Sequence, residues 1–174
     1  MQSYRRLSSL PLFKSVAPQD LGAFSQLCRT QAYHLGQTVF RQGEQALNAM
    51  LLVTGKLEVS VQTEDCERLV GWIHPGETFG EQGLFHCRGV RNATVVAVKE
   101  SRCVLLEPGG LRKAEGNLAR IALERQLAAA LARRIRSGNL VIQRAWKEQA
   151  EELPDPPPPT MLGRLRSWGE SVWT

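Results

Sequence analysis

The stretch Thr78-Phe-Gly-Glu-Gln-Gly-Leu-Phe-His-Cys-Arg-Gly-Val-Arg-Asn-Ala-Thr-Val-Val-Ala97 sets a glycine-punctuated turn between two runs of strand-forming residues. Gly80 and Gly83 permit a tight backbone and the close approach of a ligand. The residues from Glu81 to Phe85 suffice for a single helical turn, whose free N–H groups would face an anion. Arg91 is read as opening the following strand, where a guanidinium can clamp a phosphate in a two-bond fork. A carboxylate beside a phosphate site makes chemical sense as a hydrogen-bond acceptor, so Glu81 suits a sugar hydroxyl. Together these groups describe a nucleotide with one phosphate and a free ribose hydroxyl. The plainer alternative leaves Arg91 as a surface arginine and Glu81 as a helix N-terminal acid.

Outward from this stretch, residues 34–107 form short apolar runs separated by glycine, proline and polar clusters. The runs are Thr38-Val-Phe40, Met50-Leu-Leu-Val53, Leu57-Glu-Val-Ser-Val61, Leu69-Val-Gly-Trp-Ile73, Thr94-Val-Val-Ala-Val98 and Cys103-Val-Leu-Leu106. Lys56–Gln62 alternates as a half-buried strand should. Gly36, Gly43, Gly55, Pro75-Gly76 and Pro108-Gly-Gly110 punctuate the runs at hairpin-like intervals. Many short strands so spaced point to a sandwich, barrel or jelly roll, and no alternating βαβ pattern supports a dinucleotide fold.

On the N-terminal side, Leu10 to Cys28 reads as helical: Pro18 suits a first turn, and Leu21, Phe24 and Cys28 recur at helix spacing. On the C-terminal side, Leu118 to Ala150 reads as one long helix, with Leu127, Leu131, Ile135, Ile142 and Trp146 able to share a stripe. That stripe is core or a dimer seam, and homodimerisation is the expectation. Three segments follow: a domain over 1–150, a proline-rich linker over 151–160 holding five of the nine prolines, and a short amphipathic tail over 161–174 with Trp168 and Trp173.

Charge is concentrated. Residues 117–150 carry seven Arg or Lys against two Glu, a net +5 that equals the charge of the whole chain. Such a helix can touch nucleic acid or an anionic surface, and equally can be a solvated face with arginine stems packed over apolar residues. The 43% hydrophobic and 22% charged content excludes wholesale disorder. No run approaches the length of a spanning helix and no secretory signal is evident, so a cytoplasmic location is expected. The four cysteines and the histidines His34, His74 and His86 lack ligand spacing, so no metal is expected. No nucleophile elbow, Walker loop or zinc-hydrolase motif is present, so the chain reads as a binder and not an enzyme.

The segment resembles the phosphate-binding cassette of the cyclic-nucleotide-binding domain family. The Phe79-Gly-Glu81 opening, the Arg91-Asn-Ala-Thr-Val95 close and the ten-residue step from Glu81 to Arg91 carry the resemblance. It extends over roughly residues 10–145 through Phe40-Arg-Gln-Gly-Glu44, Leu52-Val-Thr-Gly-Lys-Leu-Glu-Val59 and Pro75-Gly-Glu-Thr-Phe-Gly80. It implies a mainly β fold, a cyclic-nucleotide-binding jelly-roll sandwich with flanking helices and a long C-terminal helix. It further implies that Glu81 takes the ribose 2′-hydroxyl and Arg91 the cyclic phosphate. The Gly80 and Asn92 amides would assist, and Leu84 would pack beneath the cassette. The ligand-binding set is therefore Gly80, Glu81, Gln82, Gly83, Leu84, Arg91, Asn92 and Ala93. The base-facing position on the long helix falls near Ser137 to Asn139, making Asn139 a further candidate beside its plain reading as an exposed polar residue.

The ligand implied is cAMP or cGMP, cAMP first, with no metal. The fourteen residues after the linker are too few for a helix-turn-helix, so no sequence-specific DNA binding is expected. The expected output is regulation of a protein partner in trans through the C-terminal helix and tail. Two other readings stand beside it: a scaffold of the same fold that binds no nucleotide and docks a partner constitutively, and a DNA- or membrane-associated protein using the basic helix.

Overall fold

The computed structural model describes residues 2–85 and 89–151. Eight strands among them form two four-stranded antiparallel sheets. One has the order β1 (Arg29–Tyr33), β8 (Ser101–Leu106), β3 (Ala49–Thr54), β6 (Thr78–Phe79); the other has β2 (Thr38–Phe40), β7 (Thr94–Ala97), β4 (Leu57–Gln62), β5 (Glu67–Ile73). This is the expected mainly β sandwich with flanking helices. The apolar runs quoted above sit in strands, save that Val98 falls just beyond β7; alternation is not their common rule, since β3 is buried along both faces while Leu69, Val70 and Trp72 of β5 are exposed.

Strand β3 is buried on both faces. Met50 and Leu52 join Phe40, Leu57, Phe79 and Val95 in one apolar cluster. Ala49, Leu51 and Val53 join a second cluster with Phe13, Leu21, Phe24, Val104 and Leu123. The described residues thus form two cores that share β3 and β8, one between the sheets and one beneath the helices.

The N-terminal helical stretch is broken into pieces. A helix α1 (Gln2–Ser8), which the sequence reading did not anticipate, precedes a 3-10 turn over Pro11–Phe13 and a helix α2 (Pro18–Gln26). Pro18 disfavours helical backbone at Ala17, which is extended at ψ 143°, so α2 starts afresh at its proline. The Pro108-Gly-Gly110 stretch, read as punctuation, is instead the first turn of helix α4 (Pro108–Lys113), with the proline at its first position. A one-turn helix α3 (Gln82–Phe85) follows β6, one residue later than the single turn expected from Glu81 to Phe85.

The long helix α5 runs Leu118–Glu151. Asn117 caps it: its Oδ1 accepts the Ala119 N–H at 2.8 Å, while its Nδ2 donates to the Asp20 carbonyl at 2.9 Å, fastening the start of α5 to α2. The chain divides into two compact units, Met1–Leu131 and Ala132–Thr174. In the first, α5 buries Ala119, Leu123 and Leu127. In the second, Ile135, Leu140, Val141, Ile142 and Trp146 are exposed. The proline-rich linker beyond Glu151 and the Trp-bearing tail lie outside the described residues. No described helix is long and apolar enough to cross a membrane.

Candidate functional site

The cassette is built from three pieces of chain: the β6–α3 turn, the segment 89–93 that leads into β7, and the residues before β3. Arg91 does not open a strand, since β7 begins at Thr94. Its backbone is nevertheless paired, because Arg91 N–H donates to the Glu44 carbonyl and Gly43 N–H donates to the Arg91 carbonyl, both at 2.8 Å. Neighbouring Val90 bridges Gln45 in the antiparallel sense. These bonds hold the side chain's root rigidly without extending the sheet.

The Arg91 side chain then turns inward. Only 6% of the residue is exposed. Nη1 donates to the carbonyl oxygens of Asn48 and Gly80, each at 2.9 Å, and Nη2 donates to Asn48 Oδ1 at 3.0 Å. The guanidinium lies over the Phe40 ring at 4.1 Å from its centroid, a cation–π contact in a buried setting. Nε is buried and has no hydrogen-bond partner among the described residues. A guanidinium has five N–H donors, so three bonds leave Nε–H and one Nη2–H for another acceptor. Burial pushes the Arg91 pKa down, and the charges of Glu44, Tyr33 and Glu81 act against that shift; the group stays cationic at neutral pH.

Glycine is required at two points of this arrangement. Gly80 has φ +67°, and a Cβ there would collide with Nη1 of Arg91. Gly83 would place a Cβ 2.5 Å from the Asn48 oxygen and 2.6 Å from its nitrogen, so α3 rests directly on the Asn48 peptide. A turn with bare backbone, a buried cation and a donor with no partner among the described residues is a fit for an anion at this turn.

Of the residues singled out from sequence, Gly80, Glu81, Gln82, Gly83, Leu84, Arg91, Asn92 and Ala93 all lie in the first unit, on the β6–α3 turn and the segment before β7. Glu81 and Gln82 are half-buried, Gly83 is buried, and Asn92 is exposed. Leu84 is half-buried and packs against the helix-side core. With Leu106, Leu111, Leu123, Leu127 and Leu131 it lines a cavity of about 470 Å³ behind the cassette. Asn139 is exposed and belongs to the second unit. Asn48 and Phe40 grip Arg91 from 43 and 51 positions upstream, and no spacing rule in the sequence singles them out for that role. Among the described residues no cluster of His, Cys, Asp and Glu could hold a metal ion.

Residues 30–114 match the family model described as "Cyclic nucleotide-binding domain". The chain is similar to the cyclic AMP receptor protein of Thermus thermophilus, 30% identical over 141 residues, which are 80% of this chain and 64% of that protein. It is also similar to a CRP-like cAMP-activated global transcriptional regulator of Mycobacterium tuberculosis, 28% identical over 134 residues, which are 76% of this chain and 58% of that one. The crystal structure of the Thermus thermophilus catabolite activator protein superimposes with a TM-score of 0.68 at 30% identity, covering 80% of this chain and 65% of that one. The chain therefore spans about three-fifths of the length of these relatives.

Proposed function

With residues 30–114 a member of the cyclic nucleotide-binding domain family, we propose that this protein is a regulatory sensor of a 3′,5′-cyclic nucleotide, cAMP ahead of cGMP. One observation carries the reading: the buried Arg91 guanidinium, whose Nε–H has no partner among the described residues, is held against the glycine turn that bears Glu81. Arg91 would give its remaining donors to the cyclic phosphate, a charge-assisted contact of the strong kind. Glu81 would accept the ribose 2′-hydroxyl, distinguishing ribose from deoxyribose. Gln82, Gly83, Asn92 and Ala93 would complete the cassette surface. The preference for cAMP rests on the two relatives named for that nucleotide.

The output we propose is regulation of a partner in trans. Leu84 and the first turns of α5 share the walls of one cavity, so a change at the cassette alters the packing available to α5. Ligand shifts the population only as far as it prefers one state over the other. Calorimetric titration of the purified chain with cAMP and with cGMP tests the reading. Saturable binding of cAMP, with a rise in melting temperature, is the expected result. Neither nucleotide binding at millimolar concentration would leave a scaffold without a messenger.

A further inference from the structure

We propose that Asn48 is a positioning residue that sets the angle at which Arg91 meets its ligand; the inference rests on the nucleotide-sensing reading above. Asn48 holds the guanidinium at two points. Its carbonyl oxygen takes Nη1 at 2.9 Å and its side-chain Oδ1 takes Nη2 at 3.0 Å. Two acceptors from one residue, placed on the two terminal nitrogens of a planar group, remove its freedom to rotate within its own plane. The Phe40 ring beneath one face and the Gly80 carbonyl at 2.9 Å restrict the tilt that remains. The donors left over, buried Nε–H among them, then point in one fixed direction.

The three acceptors are also chemically alike: all are neutral amide oxygens. A carboxylate in the same place would orient the guanidinium equally well and cancel much of its charge, competing with an incoming phosphate. Asparagine orients without neutralising. The same residue touches the other half of the cassette, since the Gly83 backbone of α3 approaches the Asn48 peptide too closely to admit a Cβ. Asn48 therefore registers the phosphate-facing arginine and the turn that follows Glu81 against a single peptide at the head of β3.

The test compares wild type, Asn48→Ala, Asn48→Asp and Asn48→Ser for binding of cAMP and of its two phosphorothioate diastereomers, in which one exocyclic phosphate oxygen is sulfur. A guanidinium fixed in one orientation distinguishes the two diastereomers; a loosened one does not. Asn48→Ala is expected to weaken cAMP by about tenfold, the loss of one hydrogen bond to a charged group, and to bring the diastereomer ratio toward unity. Asn48→Asp is expected to weaken cAMP further while the ratio persists, because geometry is kept and charge is not. In an Arg91→Lys background the Ala substitution should add less than about twofold. A merely structural role would lower melting temperature and leave the diastereomer ratio unchanged, and that outcome overturns the inference. So does an equal loss in the Arg91→Lys background. Asn48→Ser, with a shorter acceptor, carries the test if the Ala variant does not fold. Absence of cAMP binding by the wild-type chain overturns both this inference and the sensing reading, whereas wild-type binding with unaffected variants overturns this inference alone.

Discussion

Nη1 of Arg91 donates to the carbonyl oxygen of Gly80 at 2.9 Å, so the side chain that closes the cassette is fastened to the residue that opens it. The bond exists because Gly80 adopts φ +67° and carries no Cβ to fill the guanidinium's place. Any other residue at position 80 must strain the backbone and displace the cation together.

Gly80→Ala is the direct consequence. Left-handed backbone costs an L-residue about 1–2 kcal/mol, and the new methyl group takes the space of Nη1. The urea midpoint should fall, and cAMP affinity should fall by at least about tenfold as Arg91 loses its pose. Lower stability with unchanged affinity would mean that the arginine reaches the ligand without the Gly80 gap.

Arg91→Ala should do two things at once. Cyclic nucleotide binding should weaken by about 2–5 kcal/mol through loss of a buried charged contact. Folding stability should also drop, by about 1–3 kcal/mol for each acceptor on Asn48 and Gly80 that water cannot reach. Calorimetry and thermal melts read the two effects separately; unaltered binding would remove Arg91 from the site.

Glu81→Gln should discriminate between sugars. The variant keeps size and loses the charged acceptor, so cAMP should weaken while 2′-deoxy-cAMP, already lacking the hydroxyl, should change little. The affinity ratio of the two ligands is the measurement. An equal loss for both would assign Glu81 a role in shaping the turn.

Stability should decline in alkali. Burial pushes the Cys103 thiol up to about 12 from an ordinary 9.0, and burial with the nearby Glu107 charge does the same for Cys28. Below pH 9 these thiols are neutral in folded and unfolded chains alike. Between 9 and 12 only the unfolded chain gives up the proton, which favours unfolding by up to about 1.4 kcal/mol per pH unit for each thiol. Tyr33, pushed up to about 12 chiefly by burial, adds to the loss above its ordinary 10.0. Urea midpoints at pH about 8 and about 10 should therefore differ, and Cys103→Ala should narrow the gap.

The strands that sequence made legible are those with their own apolar alternation, such as Leu57–Gln62, where Leu57 is buried between the sheets. Strand β1 escaped because four of its five residues, Arg29 to Ala32, are exposed. It is a strand through its pairing with β8, Arg29 against Leu105 to Tyr33 against Ser101, and not through a local preference. Helix α4 was hidden because Pro108-Gly-Gly110 carries the strongest turn signals, while its first position accepts proline without cost. For the candidate site, Glu81 and Arg91 can be singled out from sequence because both lie on one short stretch ten positions apart. Asn48 cannot be: its bond to Arg91 spans 43 positions, and only the closed sandwich brings the two together.

The burial of β3 on both faces bears on how the chain finds its alignment. In most sheets a strand that slips by one residue turns its greasy side to water, and that penalty corrects the error. Here Ala49, Met50, Leu51, Leu52 and Val53 are all interior, so a slip would merely exchange one oily set for another. Polar bonds at the strand's head, where Asn48 receives Arg91, and the Gly55 turn at its other end, at φ +99°, then help to distinguish one alignment from the next. The contacts that hold the Arg91 guanidinium in place would then also guard the chain against mispaired folding.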